Sequence, residues 1–332
     1  MRFSLIVCTY MRPQALLTLL QSVRTQSLYP DEILIIDGSI DDATQVIFEQ
    51  PLFKHLRYYK VEEKDRGLTK QRNYGINQVG GTIDVVCFLD DDTVLEPNYF
   101  EEVLNTFSKY PEVIGVGGVA VNENNWKEKQ PNVTYNQYRY YQFDNYVVKE
   151  GLRNVARNYL GLQSPLLPGI LPDFSHGRTC GYPLTGQSYE VDLLIGMSMA
   201  FRKSLFTHIN FSKYFEGYGL YEDADFSLRA LQYGKNRINT AARLAHYHDA
   251  SGRPNQFKYG KMVLRNGWYV WRVKNPNPNL KARLKFHATS LLLTLIRLTN
   301  IVTTKERQKA LTESLGRVVG WFSIIFNPPK QI

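Results

Sequence analysis

Cysteine is scarce in this chain: three residues, Cys8, Cys87 and Cys180, among 332. They are too few and too scattered for a disulfide framework or a zinc site, and Cys8 and Cys87 sit in apolar, strand-like runs. Small core thiols and a reducing compartment are expected. Internal repeats and low-complexity stretches are lacking as well, which argues against solenoids and disordered tails. No G-x-G-x-x-G and no Walker-type loop occurs, so a nucleotide cradled by a glycine-rich backbone is not supported. The apolar run "FSLIVC" is short and breaks into "TYMRP", so no secretory signal is expected. The best membrane candidate, "FHATSLLLTLIRLTNIV" at 286–302, is interrupted by His287 and Arg297. It reads as a buried or interfacial helix rather than a span.

What is present is a large apolar content, 43% of the residues, enough for one large domain or two smaller ones. The net charge of +9 is unevenly spread: from Arg253 onward there are fifteen Lys/Arg against two acids, which leaves the first 252 residues with 25 basic against 29 acidic. The basicity belongs to the tail. Such a tail suits nucleic acid or an anionic membrane surface.

The first 120 residues alternate five apolar runs (3–8, 32–37, 56–60, 84–89 and 113–120) with helical patterns near 14–24, 43–50, 68–77 and 98–108. This rhythm indicates a mostly parallel sheet with helices on both faces. Ligands bind beyond the carboxyl ends of such strands. Three strands end there in polar chemistry: "VCTYMRP", "LIIDGSIDD" and "CFLDDDTV". Residues 121–190, rich in Tyr, Asn and Pro, lack a sustained period and read as a functional insertion. The core resumes at "VDLLIGMSMAFRKSLF", and from Phe257 the pattern is helical, basic and apolar.

Asp90 and Asp92 alternate at a strand end, so they can share one side; two hard carboxylates there suit Mg2+ or Mn2+ bound jointly with phosphates. Glu222 and Asp223 open an amphipathic helix. Acids are favoured in a first helical turn by the macrodipole, and a carboxylate there can equally serve as a general base. His246 and His248 face one side of a strand; they could complete the metal site, contact a phosphate, or be ordinary hydrogen-bonded residues.

In this order the pieces resemble the family-2 glycosyltransferases of GT-A fold. The opening "SLIVCTYMRPQALLTLLQSVRTQSLYPDEILIIDGSIDD", the segment "GLTKQRNYGI", the D-x-D region "FLDDDTVLEPNYFE", "GMSMAFRKSLF" and "YEDADFSLRA" carry the resemblance over roughly residues 1–120 and 190–250. It implies a Rossmann-like, mostly parallel α/β sheet flanked by helices, with an irregular acceptor insertion and a helical C-terminal tail. The catalytic domain would span 1–252 (a nucleotide-sugar half at 1–120, the insertion at 121–190, an acceptor and base half at 191–252), followed by a basic helical region at 253–332. Thr9, Tyr10 and Arg12 would line the nucleotide pocket, Asp37 would hydrogen-bond the base, and Arg72 would approach base or phosphates, with Asn73 holding the loop. Asp90 would face ribose or metal, and Asp91 would join the nucleotide-sugar site as the least needed of the three. Asp92 would bind Mn2+ or Mg2+, and which of His246 and His248, if either, joins it is left open. Asp223, beside Glu222, would be the base of an inverting displacement. Where many relatives carry two acids before Gly-Ser, this chain has Ile36-Asp37, which leaves the nucleotide's identity open.

The implied donor is a nucleoside-diphosphate sugar, UDP ahead of GDP or dTDP, and the acceptor a saccharide or lipid-linked hydroxyl in cell-surface polysaccharide or glycan synthesis. The tail is expected to give peripheral contact at the cytoplasmic face of a membrane, with no nucleic-acid partner. Two alternatives remain: a haloacid-dehalogenase-type phosphatase using Asp90 and Asp92, and a non-catalytic binding protein with a membrane-associated tail.

Overall fold

The computed structural model describes residues 1–48, 53–179, 181–248 and 254–330. Cys180, the end of the helix expected over 43–50 and the boundary expected at 252 lie outside the described residues. In chain order the first elements are β1 (Phe3–Thr9), α1 (Pro13–Arg24), β2 (Glu32–Asp37), α2 (Ala43–Val46), β3 (Leu56–Lys60) and α3 (Leu68–Gln78). They are followed by β4 (Val85–Asp90), β5 (Thr93–Leu95), α4 (Tyr99–Lys109) and β6 (Val113–Ala120). Next come β7 (Lys127–Glu128), β8 (Tyr140–Phe143), β9 (Tyr146–Lys149) and α5 (Leu152–Tyr159), then β10 (Ser188–Val191), β11 (Ser198–Arg202), α6 (Glu222–Ala230) and β12 (Lys235–His246). Three long helices close the chain: α7 (Gln256–Lys274), α8 (Leu280–Thr303) and α9 (Arg307–Phe326).

The chain forms two compact units, residues 1–124 with 184–253, and residues 125–183 with 254–332. The first holds a mixed sheet in the order β10-β12-β6-β11-β4-β1-β2-β3, with β5 paired to β12. Strands β4, β1, β2 and β3 are mutually parallel, β6 and β12 are parallel to one another, and β11 runs antiparallel between β4 and β6. Alternation explains how both faces are covered. Phe3, Leu5, Val7, Ile33 and Ile35 join Leu16, Leu19, Leu20 and Val23 of α1 and Phe100, Val103 and Phe107 of α4 in one core. Each such Leu or Ile contributes about 1.5–3 kcal/mol on burial. The opposite residues Ile6 and Ile36 meet α3. Pro13, at the start of α1, presets the helical φ where its missing N–H costs nothing.

Two connections matter for the site. β2 lies on one side of β1 and β4 on the other, so the chain reverses its direction of travel across the sheet at β1. This is the topological switch point at which open α/β sheets bind ligands. β12 pairs with β6 from Lys235 to Ile238 and again at Arg243 and Leu244, with a register slip between. Its far end pairs antiparallel with β5, placing His246 opposite Thr93.

In the second unit, β7, β9 and β8 make a small antiparallel sheet, so the stretch without a sustained period is partly ordered structure. Asn255 and Asn279 cap α7 and α8 through their side chains, and Pro276 and Pro278 separate those helices. α7 and α9 meet at glycines: a Cβ on Gly260 or Gly316 would stand 2.1 Å from a carbonyl oxygen of the facing helix. Trp271 stacks on Phe286 at 4.5 Å and donates its indole N–H to the Asp173 carbonyl at 2.6 Å.

Gly75 sets how closely α3 approaches the sheet, because a Cβ there would stand 2.8 Å from Ile6 Cγ2 and 3.2 Å from Ile36 Cγ1. Overpacking of this kind costs about 1–3 kcal/mol, offset by about 1 kcal/mol of helix propensity. Gly75→Ala is therefore expected to destabilise the protein by up to about 2 kcal/mol, read as a lower urea midpoint with an unchanged m-value.

Candidate active site

The carboxyl ends of β1 and β4 lie side by side, with Cys8 opposite Asp90. The chain leaves β1 through Met11, a non-glycine residue at φ 58°, whose N–H donates to Ser39 Oγ at 2.8 Å. Gln71 ties the two first strands together at this end, donating to the carbonyls of Thr9 at 3.0 Å and Ile36 at 2.7 Å. Asn73 holds the next loop by exchanging two 2.9 Å hydrogen bonds with the backbone of Phe211.

The three aspartates part company here. Asp91 is buried; it accepts from Thr9 Oγ1 at 2.6 Å and from Arg12 Nη1 at 3.1 Å. Burial pushes its carboxyl up to about 7 against the pull of those two donors. From sequence it is the least needed of the three, yet it is the one that fastens the β1 turn to the β4 end. Asp92 lies 3.6 Å from Arg12 Nη1 and 3.3 Å from His246 Nε2. Asp90 is the more open one and faces Arg72 Nη2 at 3.4 Å.

Arg72 is 2% exposed. It pairs with Glu222, approaches Asp90, donates to the Gly196 carbonyl at 3.1 Å and lies over the Phe211 ring at 5.2 Å. Burial alone would lower its affinity for a proton, but Glu222 and Asp90 outweigh that and hold it charged. Burial pushes the Glu222 carboxyl up, Arg72 pulls it back, and Asp223 raises it again. Arg72, expected from sequence to approach a base or phosphates, sits here as an interior counter-ion between the two acidic motifs. Asp37 is likewise engaged within the fold. It is fully buried, with one oxygen accepting from the Ser39 N–H at 2.7 Å and the other from the Tyr58 hydroxyl at 2.7 Å. In this structure it shapes the Gly38-Ser39 turn rather than offering an open edge to a nucleobase. Tyr10 is exposed beside that turn.

Glu222 and Asp223 open α6 directly after Tyr221, which is held at φ 70°. Non-glycine residues in that left-handed region are strained and cluster at functional sites. Asp223 accepts from the Gly196 N–H at 2.9 Å and from the Ala224 N–H at 2.8 Å. Gly196 thus touches both Asp223 and Arg72; a Cβ there would crowd Glu222 at 3.3 Å and Asp223 at 3.4 Å. Its role is hidden in the sequence because only tertiary contact reveals it.

Asp90, Asp92 and His246 bring one ligand atom each within 4.8 Å of one another, as do Glu123, His246 and His248. His248 therefore stands in the second group, on Glu123 at 2.8 Å, rather than beside the aspartates. Glu123 went unread from sequence because the register of β6 against β12 decides its position. Beneath Asp92, a cavity of about 300 Å³ is lined by Ala15, Thr18, Thr93, Val94 and Tyr247.

With this geometry in hand, comparison with known proteins is specific. Residues 4–162 match the model of the glycosyl transferase family 2. The glucosyl-dolichyl phosphate glucuronosyltransferase of Haloferax volcanii is 29% identical over 136 residues, 40% of this chain and 41% of that protein. The chain spans less than half the length of the curated relatives it matches. Among solved structures, the mannosyltransferase PcManGT from Pyrobaculum calidifontis, in complex with GDP-Man and Mn2+, aligns over 99% of this chain and 88% of that one at 12% identity with a TM-score of 0.54. GalNAc-T7 with UDP, GalNAc and Mn2+ aligns over 87% of this chain and 55% of that one at 14% identity with a TM-score of 0.55. These likenesses show the GT-A fold. The phosphatase alternative finds no support: β4 is preceded by three strands, and Glu222-Asp223 follow a loop rather than a strand.

Removing one partner of a buried ion pair costs about 3–5 kcal/mol, because the other is left uncompensated. Arg72→Met is expected to destabilise the chain by about that amount in urea denaturation. The double variant Arg72→Met/Glu222→Met should recover most of the loss.

Proposed function

We propose that this chain is an inverting glycosyltransferase that moves a sugar from a nucleoside-diphosphate donor to a saccharide or lipid-linked hydroxyl in polysaccharide or glycan synthesis. One observation carries the reading: Asp90, Asp92 and His246 converge at the switch point between β1 and β4, and Asp223 reaches toward the same region through Gly196. The names of the similar proteins, which include a glucuronosyltransferase acting on glucosyl-dolichyl phosphate and structures holding GDP-Man or UDP, support the donor class and a lipid-linked acceptor.

The donor set fits a divalent cation. Two carboxylates suit Mg2+ and Mn2+ alike, and the imidazole of His246 tilts the set toward Mn2+. When bound, such an ion would neutralise the charge growing on a departing diphosphate, which is worth several kcal/mol for Lewis-acid metals. The remaining work falls to the chain's own residues. The acceptor oxygen forms a bond to the anomeric carbon from the face opposite the diphosphate, the bond to the diphosphate oxygen breaks, and the acceptor proton passes to an Asp223 oxygen. Each Asp223 oxygen keeps a lone pair beyond the N–H it accepts. Thr9, Tyr10 and Arg12 line the nucleotide side, with Asp91 fixing Thr9 and Arg12 in place.

A thermal-shift screen of nucleoside diphosphates and their sugars with Mn2+ tests this. A ligand at a hundred times its Kd adds about 2.7 kcal/mol, so a rise of several degrees is expected for one nucleotude class. No shift with any of them would sink the donor assignment. Asp92→Asn is expected to abolish the metal-dependent part of the shift. Asp223→Asn should keep the shift and lose transfer by roughly 10²–10⁴-fold.

The same reading has the second unit attach peripherally to a membrane, at its cytoplasmic face. α8 is long and apolar enough to cross a bilayer, by length and composition, yet only 22% of its most apolar window is buried. Leu284, Leu291, Leu295, Leu298 and Val302 make one exposed stripe on it, and Leu311, Leu315, Val318, Phe322 and Ile325 another on α9. Exposed leucines beside an excess of Lys/Arg match an interfacial helix on anionic lipid. Co-sedimentation with anionic vesicles at low salt, lost with neutral vesicles, is expected; a chain that ignores both would remove this reading.

A further inference from the structure

We infer that Glu123 is a positioning residue: it fixes the ring of His246 so that Nε2 is presented to the Asp90 and Asp92 carboxylates. The inference rests on the reading of that cluster as a cation site and assigns it a supporting shell that no motif in the sequence announces.

β6 and β12 run parallel with Ala120 opposite Leu244, so the residues just past β6 stand alongside His246. There the chain makes a single tight turn, Val121–Glu123. Two consecutive residues of that turn grip His246 at different places. Asn122 holds its backbone from both sides: its Nδ2 donates to the His246 carbonyl at 2.7 Å and its Oδ1 accepts from the His246 N–H at 2.9 Å. Glu123 holds the ring, with Oε1 3.0 Å from His246 Nδ1. A carboxylate can only accept here, so Nδ1 must carry a proton. With Nδ1–H donating to Glu123, Nε2 is the nitrogen turned to the aspartates, 3.3 Å from Asp92 Oδ1, and the one that could coordinate an ion held between them. Carboxylate–histidine–metal relays of this form fix the tautomer and orientation of metal-binding histidines. His248 Nε2 reaches the same Glu123 oxygen at 2.8 Å, and its ring lies 4.0 Å from that of His246, which pins the carboxylate from its open side.

The test uses the full chain and Mn2+ alone, followed by electron paramagnetic resonance. Wild type is expected to bind one ion, with ¹⁴N modulation from a coordinated imidazole. Glu123→Gln can either accept from or donate to Nδ1, so it no longer dictates the tautomer. It should weaken Mn2+ affinity by about 10–100-fold and lose the ¹⁴N signal, while its melting curve without metal stays that of wild type. Asn122→Ala, which frees the backbone of His246, should move both readouts the same way. Unchanged affinity and unchanged ¹⁴N coupling in Glu123→Gln would overturn the inference while leaving the Asp90/Asp92 site standing. A wild-type chain that takes up no Mn2+ would remove both the site and the inference. A second Mn2+ that disappears in His248→Ala would show Glu123 to be a ligand in its own right, which also overturns it.

Discussion

A single buried guanidinium organises the catalytic half of this molecule. Arg72 comes from α3, Asp90 from the end of β4, Glu222 from the start of α6 and Gly196 from the turn before β11, and all meet at that one side chain. Four segments far apart in sequence are thereby held against the same charge. A lysine could not replace it, because a point charge lacks the planar fork that reaches several acceptors at fixed angles. The arrangement also separates the acids by role. Glu222 is taken up by the interior pair, while its neighbour Asp223 accepts from the backbone N–H groups of Gly196 and Ala224.

The consecutive aspartates at the end of β4 raise an electrostatic problem that the fold resolves by giving each its own set of partners, with Arg12 shared between two of them. Asp91 turns to Thr9 and Arg12, Asp90 to Arg72, and Asp92 to Arg12 and His246. Four cationic or hydrogen-bonding side chains, Thr9, Arg12, Arg72 and His246, thus keep three adjacent carboxylates from simply repelling one another. Asp90, Asp92 and His246 still bring one ligand atom each within 4.8 Å of one another, a grouping whose donors suit a divalent cation.

Much of this was legible in the residues. The five apolar runs of the first 120 residues became strands within a residue or so of their expected limits, because runs buried on both faces carry a strong local signal. The D-x-D pair and the Glu-Asp helix start were visible for the same reason: they punctuate strong elements. What stayed hidden depends on register and burial. Whether Asp37 and Arg72 look outward or inward is decided by Tyr58 and Glu222, which no spacing connects to them. Gly196 and Glu123 carry their meaning only through partners some 27 and 123 residues away. The order within residues 121–190 was hidden because its strands are short and half exposed, so neither period persists long enough to be read.

The register slip in β12 between Ile238 and Arg243 has a consequence of parity. Side chains alternate along a strand, so the number of residues spent in that slip decides which face His246 joins when pairing resumes against β5. One residue more would seat Ala245 opposite Thr93, and one fewer would seat Tyr247. Either change would empty the third corner of the carboxylate cluster while leaving every acid in it untouched. The site is therefore specified by a length as well as by a set of residues, and a relative with the same acids but an odd difference in this strand would have to find its third ligand elsewhere.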